Sequence, residues 1–218
     1  GIDVAQRIGG ADLSPLIGVV DHRGEHVDGR DQREVVANAV HAGIVRAEGF
    51  LYDYKTNRWS TIGNSMTQAR FNHTATLLNN GKVLLAAGEV TGPGVTTTCE
   101  LYNPQSNLFE ACATGQPMQR ARGGHTATRL HDGRVLIAGG YINSTASDFA
   151  VTTELFDFTV GAAGGWNPGP ALIQKRAHHT ATQLGNFKVL IVGGYNGKND
   201  QANQGILQTA ELYDPVSD

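Results

Sequence analysis

Short alternating stretches and short apolar runs follow one another along most of the chain. Three stretches read His-Thr-Ala-Thr and begin at His73, His125 and His179, at intervals of 52 and 54 residues. Their alternation and their threonine content predict half-buried β-strands. A wholly apolar run, such as residues 83–87 or 189–192, comes soon after each stretch and predicts a buried second strand. The pattern therefore predicts a repeated pair of short strands.

Tight turns are expected between the two strands of each pair. Asn80-Gly81 and Asp132-Gly133 stand at this place, and glycine tolerates the positive φ that two-residue hairpin turns require. In the second and third copies the apolar strand ends in a double glycine, which lets backbones approach closely. Long loops come next, over residues 89–95, 141–150 and 195–206.

A second landmark completes each repeat and predicts a third and a fourth strand. It is a Glu-Leu-aromatic triplet that begins at Glu100, Glu154 and Glu211. Another large aromatic residue follows the first two triplets, at Phe109 and Trp166. An incomplete copy of this half lies upstream and carries Trp59. Four strands in one repeat of about 50 residues form a single twisted sheet in many repeat proteins.

The repeat resembles the kelch family. That family's pattern is an Arg-x-x-His entry, a strand, a turn with glycine, a strand ending in Gly-Gly, a variable loop, then Tyr-Asp and a later Trp. The resemblance covers roughly residues 45–218, and the first copy departs from the pattern with Ala87-Gly88 and Phe109. It implies an all-β, kelch-type β-propeller built from four-stranded blades.

The blades do not complete a ring. Residues 64–114 and 115–170 are two full blades, residues 45–63 are the outer half of a blade, and residues 171–218 lack an outermost strand. This makes three to three and a half blades, whereas propellers close with about four to eight. We therefore expect part of a six- or seven-bladed ring, with the missing blades supplied by the rest of a longer chain or by self-association.

Residues 1–44 form an atypical N-terminal segment without the repeat pattern. Residues 31–42 are predicted to be a short helix, because Asp31 is suited to the N-cap, Glu34 completes a capping box and Gly43 suits the C-terminal end. The alternative is a degenerate blade.

Charge and hydropathy exclude some classes of function. The net charge is −3 and the basic residues are scattered, which gives no electrostatic basis for binding nucleic acid. No apolar run approaches the ~20 residues of a membrane-spanning helix, and the N-terminal residues show no targeting signal.

The variable loops and the repeated arginines supply the candidate ligand-binding residues. Loops on a rigid scaffold commonly carry function, although ordinary loop composition explains the same residues. The loop candidates are Glu89, Tyr141, Asn143, Tyr195, Asn196, Lys198 and Asp200. Arg70, Arg122 and Arg176 precede the innermost strands, where guanidinium groups at one mouth of the channel attract a carboxylate or a phosphate. The alternative is that each arginine stabilises its own blade.

No metal site, catalytic residue or cofactor is predicted. The repeated histidines stand at the same position of successive blades and need not converge. Cys99 and Cys112 are different, because a four-residue hairpin loop at 104–107 places them opposite each other on adjacent strands, within range of a disulfide. The alternative is two reduced, partly buried thiols.

These observations favour a non-catalytic propeller that recognises a protein or a glycan through its loops. The amino-acid sequence of the repeats resembles that of secreted or surface bacterial kelch proteins, which implies an extracellular or cell-surface location. One alternative is part of a galactose oxidase-like copper enzyme with its active site largely outside this chain. Another is a structural repeat module of a larger extracellular protein.

Overall fold

Every regular element in the described part of the chain is a β-strand. The computed structural model describes residues 17–18, 33–37, 47–92, 94–143, 145–197 and 204–215. Its strands form several small antiparallel sheets. In these residues there is no helix that is long and apolar enough to cross a membrane.

Four sheets follow one another in chain order. Sheet I contains β1 (Ile17–Gly18), β2 (Arg33–Ala37), β3 (Gly49–Asp53) and β4 (Arg58–Thr61). Sheet II contains β6 (Thr74–Leu77), β7 (Val83–Ala86), β9 (Cys99–Asn103) and β10 (Leu108–Ala111). Sheet III contains β11 (Thr126–Arg129), β12 (Val135–Ala138), β13 (Thr153–Asp157) and β14 (Gly165–Gly169). Sheet IV contains β15 (Thr180–Gln183), β16 (Val189–Val192) and β17 (Ala210–Tyr213), and a two-stranded ladder joins β5 (Arg70–Phe71) to β8 (Glu89–Val90).

Each sheet is built from strands that pair with their neighbours in the sequence. The hairpin between the first two strands turns at Gly81 in sheet II and at Gly133 in sheet III, with φ of 82° and 95°. These positive angles are the reason glycine stands there. The third and fourth strands pair so that Tyr102 lies opposite Phe109 and Phe156 opposite Trp166. Local turn chemistry and side-chain alternation therefore set the register.

The helix predicted over residues 31–42 is wrong where the structure describes it. Residues 33–37 form β2, which pairs with β3 and places Val35 opposite Leu51. The two adjacent β-branched valines favour a strand. Pairing with β3 also gives the backbone N–H and C=O groups hydrogen-bond partners, and this stabilisation exceeds what a helix cap would contribute. Within the region predicted as the outer half of a blade, residues 45–63, β3 and β4 are the third and fourth strands of sheet I, and β1 and β2 are its first two strands.

The core lies between successive sheets. Residues alternate along each strand, so one side of a sheet packs on the preceding sheet and the other side on the following one. We call these the front face and the back face. The back face of sheet II and the front face of sheet III share one cluster of buried residues: Leu84, Ala86 and Leu101 with Val135, Ile137, Phe156 and Trp166. The same arrangement recurs between sheets III and IV, with Leu136, Ala138 and Leu155 against Val189, Ile191 and Tyr213.

Hydrogen bonds between first strands join the sheets at one edge. β11 contacts both β6 and β15. His125 Nε2 lies 2.9 Å from Thr74 Oγ1, and His179 Nε2 lies 2.9 Å from Thr126 Oγ1. Each histidine therefore links its own sheet to the preceding one.

Candidate functional site

The described parts of the long loops lie at the same end of their sheets. Each loop starts at the C-terminal end of a second strand. Because the first and second strands of each hairpin are antiparallel, this end lies beside the N-terminal end of the first strand. We call this end the loop end and the opposite one, with the tight hairpins, the turn end. The loop end is where the sequence places the ligand-binding candidates.

Three of the candidates occupy one structural position. Glu89, Tyr141 and Tyr195 each follow the glycine that ends a second strand. Each pairs through its backbone with the residue after the buried arginine of the same repeat: Phe71, Gly123 and Ala177 respectively. The structure therefore brings these three side chains to equivalent places on successive sheets.

Asn72, Glu89 and Tyr141 form a hydrogen-bonded cluster that joins the loops of sheets II and III. The Asn72 amide donates to Glu89 Oε1 at 3.0 Å and to the Tyr141 hydroxyl oxygen at 2.7 Å. The Tyr141 hydroxyl in turn donates to Glu89 Oε1. Burial raises the pKa of Tyr141, and the hydrogen bond and charge of Glu89 raise it further. Tyr141 thus stays protonated as a donor, which fixes one oxygen of the half-buried Glu89 carboxylate.

His178 borders this cluster. Its imidazole is exposed, and its ring centre lies 5.6 Å from that of Tyr141. A side chain at Gly124 would come within 2.8 Å of both rings, so the glycine leaves room for them. The backbone N–H of Gly124 donates to the Asn72 carbonyl, and that of His178 donates to the Gly124 carbonyl. Three equivalent positions of successive repeats therefore lie in a row.

Asn72 and His178 are not among the ligand-binding residues predicted from the sequence. A signal was present, since the residue before the repeated histidine is Asn72, Gly124 or His178 while its neighbours recur. Variation at one position of an otherwise regular repeat is typical of a position that does not serve the fold alone.

The remaining loop candidates are dispersed. Tyr195 is half-buried and packs edge-on against Phe149, with ring centres 5.4 Å apart. Asn196 is 5% exposed and has little surface for a ligand. Asn143 is held in its own loop by Ser147, whose hydroxyl accepts from the Asn143 amide at 2.9 Å. Lys198 and Asp200 lie outside the described residues.

The three repeated arginines are buried within their own sheets, which argues against their inclusion among the ligand-binding candidates. Arg70, Arg122 and Arg176 are each 0% exposed. The Arg122 guanidinium donates to the carbonyls of Gly139 and Thr152 and to Glu154 Oε1, at 2.7, 2.9 and 2.8 Å. Buried charges are stable only when paired in this way. The arginines therefore hold their own sheets together, as the alternative reading proposed.

Each buried arginine has a glutamate partner. In the sequence these glutamates stand out only as the first residues of the Glu-Leu-aromatic triplets. The pairs are Arg70–Glu100, Arg122–Glu154 and Arg176–Glu211, with N–O distances of 3.1, 2.8 and 2.7 Å. The recurrence of a glutamate 30 to 35 residues after each arginine was the available signal.

The three repeated histidines are also buried. Burial, together with the neighbouring arginine of each repeat, lowers the pKa of His73 to about 3 and that of His179 to about 4. Burial likewise places the pKa of His125 well below its ordinary range. Neutral rings suit the hydrogen bonds that His125 and His179 make to the preceding sheets. Within the described ranges no three His, Cys, Asp or Glu side chains are grouped to hold a metal ion.

Cys99 and Cys112 are joined by a disulfide in the structure. The pairing of Tyr102 with Phe109 continues two rungs to Glu100 and Ala111, so the cysteines lie opposite each other with Cα atoms 5.4 Å apart. The Trp166 indole N–H donates to Cys99 Sγ at 3.4 Å. The disulfide therefore fastens the outer strands of sheet II beside the core that it shares with sheet III.

Comparisons with known proteins show a shared fold. No protein-family model matches the chain. It is 27% identical over 166 residues to tRNA wybutosine-synthesizing protein 4 of Saccharomyces cerevisiae, a match that covers 72% of this chain and 22% of that protein. It is also similar to the structure of YjhT, with a TM-score of 0.65 and 13% identity over 85% of this chain and 66% of that chain. The chain thus spans about a fifth of the first protein and just under two thirds of the second.

Proposed function

We propose that the chain is part of a kelch-type β-propeller that binds a protein or a glycan through its loop end without catalysing a reaction. The serial stacking of four-stranded sheets, with their first strands adjacent, supports a propeller, and a ring of six or seven blades is part of the proposal. The disulfide supports an extracellular or cell-surface location, because oxidising compartments preserve such bonds.

The Asn72–Glu89–Tyr141 cluster is the observation that carries the proposal. It places a half-buried carboxylate against the Tyr141 hydroxyl at the loop end. The second oxygen of Glu89 has no contact in the cluster and is suited to accept hydrogen bonds from a hydroxyl or an amide. The exposed ring of His178, next to the Tyr141 ring, offers a flat surface at the same end. Sugars and polypeptides both combine such donors with small apolar patches.

A binding measurement with matched variants tests the proposal. The labelled chain is applied to an array of neutral and acidic oligosaccharides and to a displayed peptide library. We expect retention on at least one of them and roughly tenfold weaker retention for Glu89→Gln, since hydrogen bonds to a charged group are stronger. Glu110→Gln is the control, because Glu110 pairs with Lys82 toward the turn end.

Two results would overturn the proposal. One is the absence of retention on either probe by the folded chain. The other is an equal loss of retention in Glu89→Gln and Glu110→Gln, which would show that binding does not depend on the loop end. Retained copper with oxidase turnover on a sugar alcohol would instead favour the galactose oxidase-like alternative.

A further inference from the structure

Glu89 is a half-buried carboxylate with no cationic partner in the described part of the chain. Its polar contacts are the neutral amide of Asn72 and the neutral hydroxyl of Tyr141. Other carboxylates of the repeats do have a lysine or arginine partner: Glu100, Glu110, Asp132, Asp148, Glu154, Glu211 and Asp214. Because a partly desolvated charge is more stable when it is paired, the Glu89 carboxylate is suited to a cation that comes from another molecule.

The fold does not require a negative charge at this position. Tyr141 and Tyr195 replace Glu89 in the next two repeats and make the same backbone pairing. Each follows the glycine that ends its second strand, as Glu89 follows Gly88. The carboxylate therefore adds a charge to the loop end of sheet II that the strand pairing does not need.

Asp157 is a useful comparison because it also lacks a lysine or arginine partner within the described ranges. It ends β13 at a hairpin turn, where its Oδ1 accepts from the backbone N–H and the hydroxyl of Thr159 at 2.8 and 2.6 Å. Asn103 accepts the N–H of Gln105 in the equivalent turn of sheet II, so a neutral side chain is sufficient there. Asp157 thus serves its own turn, and its place at the turn end makes it a control for Glu89.

Only one oxygen of the Glu89 carboxylate is available to a ligand. Oε1 accepts from the Asn72 amide at 3.0 Å and from the Tyr141 hydroxyl, which fills its two lone pairs. Oε2 has no hydrogen bond within the described residues and is not buried. An arginine guanidinium binds a carboxylate best through both oxygens, whereas an ammonium group is a point charge that needs only one. The geometry therefore favours an ammonium group.

We propose that the loop end binds a polypeptide through a lysine whose ammonium group donates to Oε2 of Glu89. This assignment rests on the proposed binding function and names its ligand. A lysine carries its ammonium group on a flexible four-carbon stem, so the group reaches a half-buried oxygen while the polypeptide backbone stays outside the cluster. The amino group of an amino sugar is bonded directly to the ring and has no such reach. The net charge of −3 also favours a basic polypeptide over an acidic one.

Displayed peptide libraries that differ in one fixed residue test the proposal. The fixed central residue is lysine, acetyl-lysine or arginine, and the flanking positions are randomised without charged residues. We expect the labelled chain to be retained on the lysine library roughly tenfold more strongly than on either of the others, because acetylation removes the charge and a guanidinium group finds only one free oxygen. Glu89→Gln should abolish the preference for lysine. Asp157→Asn removes the same charge from the turn end and should keep that preference.

The Tyr141→Phe variant tests whether the Tyr141 hydroxyl sets the preference for lysine over arginine. It removes one donor from Oε1 of Glu89 and keeps the ring, so a lone pair on that oxygen becomes available to a guanidinium group. We expect the arginine library to gain retention relative to the lysine library. An unchanged ratio between the two libraries, in a variant with the circular dichroism of the unaltered chain, would overturn the argument from one free oxygen.

Two other results would overturn the lysine assignment as a whole. They are equal retention on the lysine and acetyl-lysine libraries, and a preference for lysine that survives Glu89→Gln. Retention on oligosaccharides alone, weakened by Glu89→Gln, would refute the lysine ligand and leave the loop-end site in place. A folded chain that is retained on neither peptides nor oligosaccharides would refute the proposed function as well.

Discussion

At the scale of single residues, the repeat is organised around a buried charge pair. Arg122 is fully buried, and its guanidinium donates to three carbonyls, a hydroxyl and Glu154. Glu154 in turn accepts from the backbone N–H groups of Gln119 and Arg120. One ion pair thereby ties the segment that enters a sheet to the second and third strands of that sheet.

Removing this arginine should destabilise the protein strongly. We expect Arg122→Met to lower the free energy of unfolding by about 3–5 kcal/mol, because Glu154 is left buried without its partner. Arg134→Ala should cost less than about 1 kcal/mol, since Arg134 forms an exposed pair with Asp132. Urea unfolding followed by circular dichroism measures both.

The double variant Arg122→Met with Glu154→Leu gives the check on that explanation. If the uncompensated charge causes the loss, the double variant should recover much of the stability. An equal or greater loss in the double variant would mean that packing and the carbonyl contacts, and not the charge, dominate.

At the scale of elements, the outer strands of sheet II are held more firmly than those of its neighbours. The disulfide joins Cys99 to Cys112 across a sequence separation of 13 and so closes a short loop. In a chain-entropy account, closing such a loop stabilises the folded protein by about 3 kcal/mol. Tyr102 and Phe109 add a ring contact across the same strands, with centres 5.9 Å apart.

Reduction of the disulfide should therefore be measurable. We expect dithiothreitol to lower the free energy of unfolding of the unaltered chain by about 3 kcal/mol, because the unfolded chain regains the entropy of an open loop. The Cys99→Ala, Cys112→Ala variant should start at the lower value and should not respond to the reductant. A stability that is the same with and without dithiothreitol would show that the bond contributes nothing.

At the scale of the whole molecule, cohesion between sheets depends on neutral histidines. His125 and His179 bond to a threonine of the preceding sheet, and both lie close to a buried arginine of their own repeat. A proton on either ring would place a second positive charge beside the arginine in the buried interior of the protein. The stack should therefore loosen in acid.

The pH dependence of stability tests this. The ordinary pKa of histidine is 6.5, and the folded values for His73 and His179 are about 3 and about 4. Below pH 6.5 the unfolded chain consequently binds more protons than the folded chain, and stability falls as the pH falls. Each buried histidine adds a slope of up to about 1.4 kcal/mol per pH unit.

Urea unfolding at several values between pH 7 and pH 5 measures that slope, in a range above the titration of most carboxylates. His73→Asn should reduce the slope, whatever it does to stability at pH 7. A free energy of unfolding that does not change over this range would contradict the explanation.

The sequence by itself determined the strands, the hairpin turns and the register of the three repeats, because these depend on alternation, on glycine at positive φ and on spacing. It also placed Cys99 opposite Cys112, since a hairpin of known length sets which residues face each other. All of these are local relations, within one sheet and often within one hairpin.

Only the tertiary structure decided which repeated residues are buried in the fold and which lie at the surface of the loop end. Arg70 and Glu89 look equally suited to binding in the sequence, but one is fully buried against Glu100 and the other lies at the surface of the loop end. Residues 33–37 became a strand because β3 was there to pair with them. Burial and pairing depend on what the rest of the chain brings alongside, and no pattern within a segment contains that information.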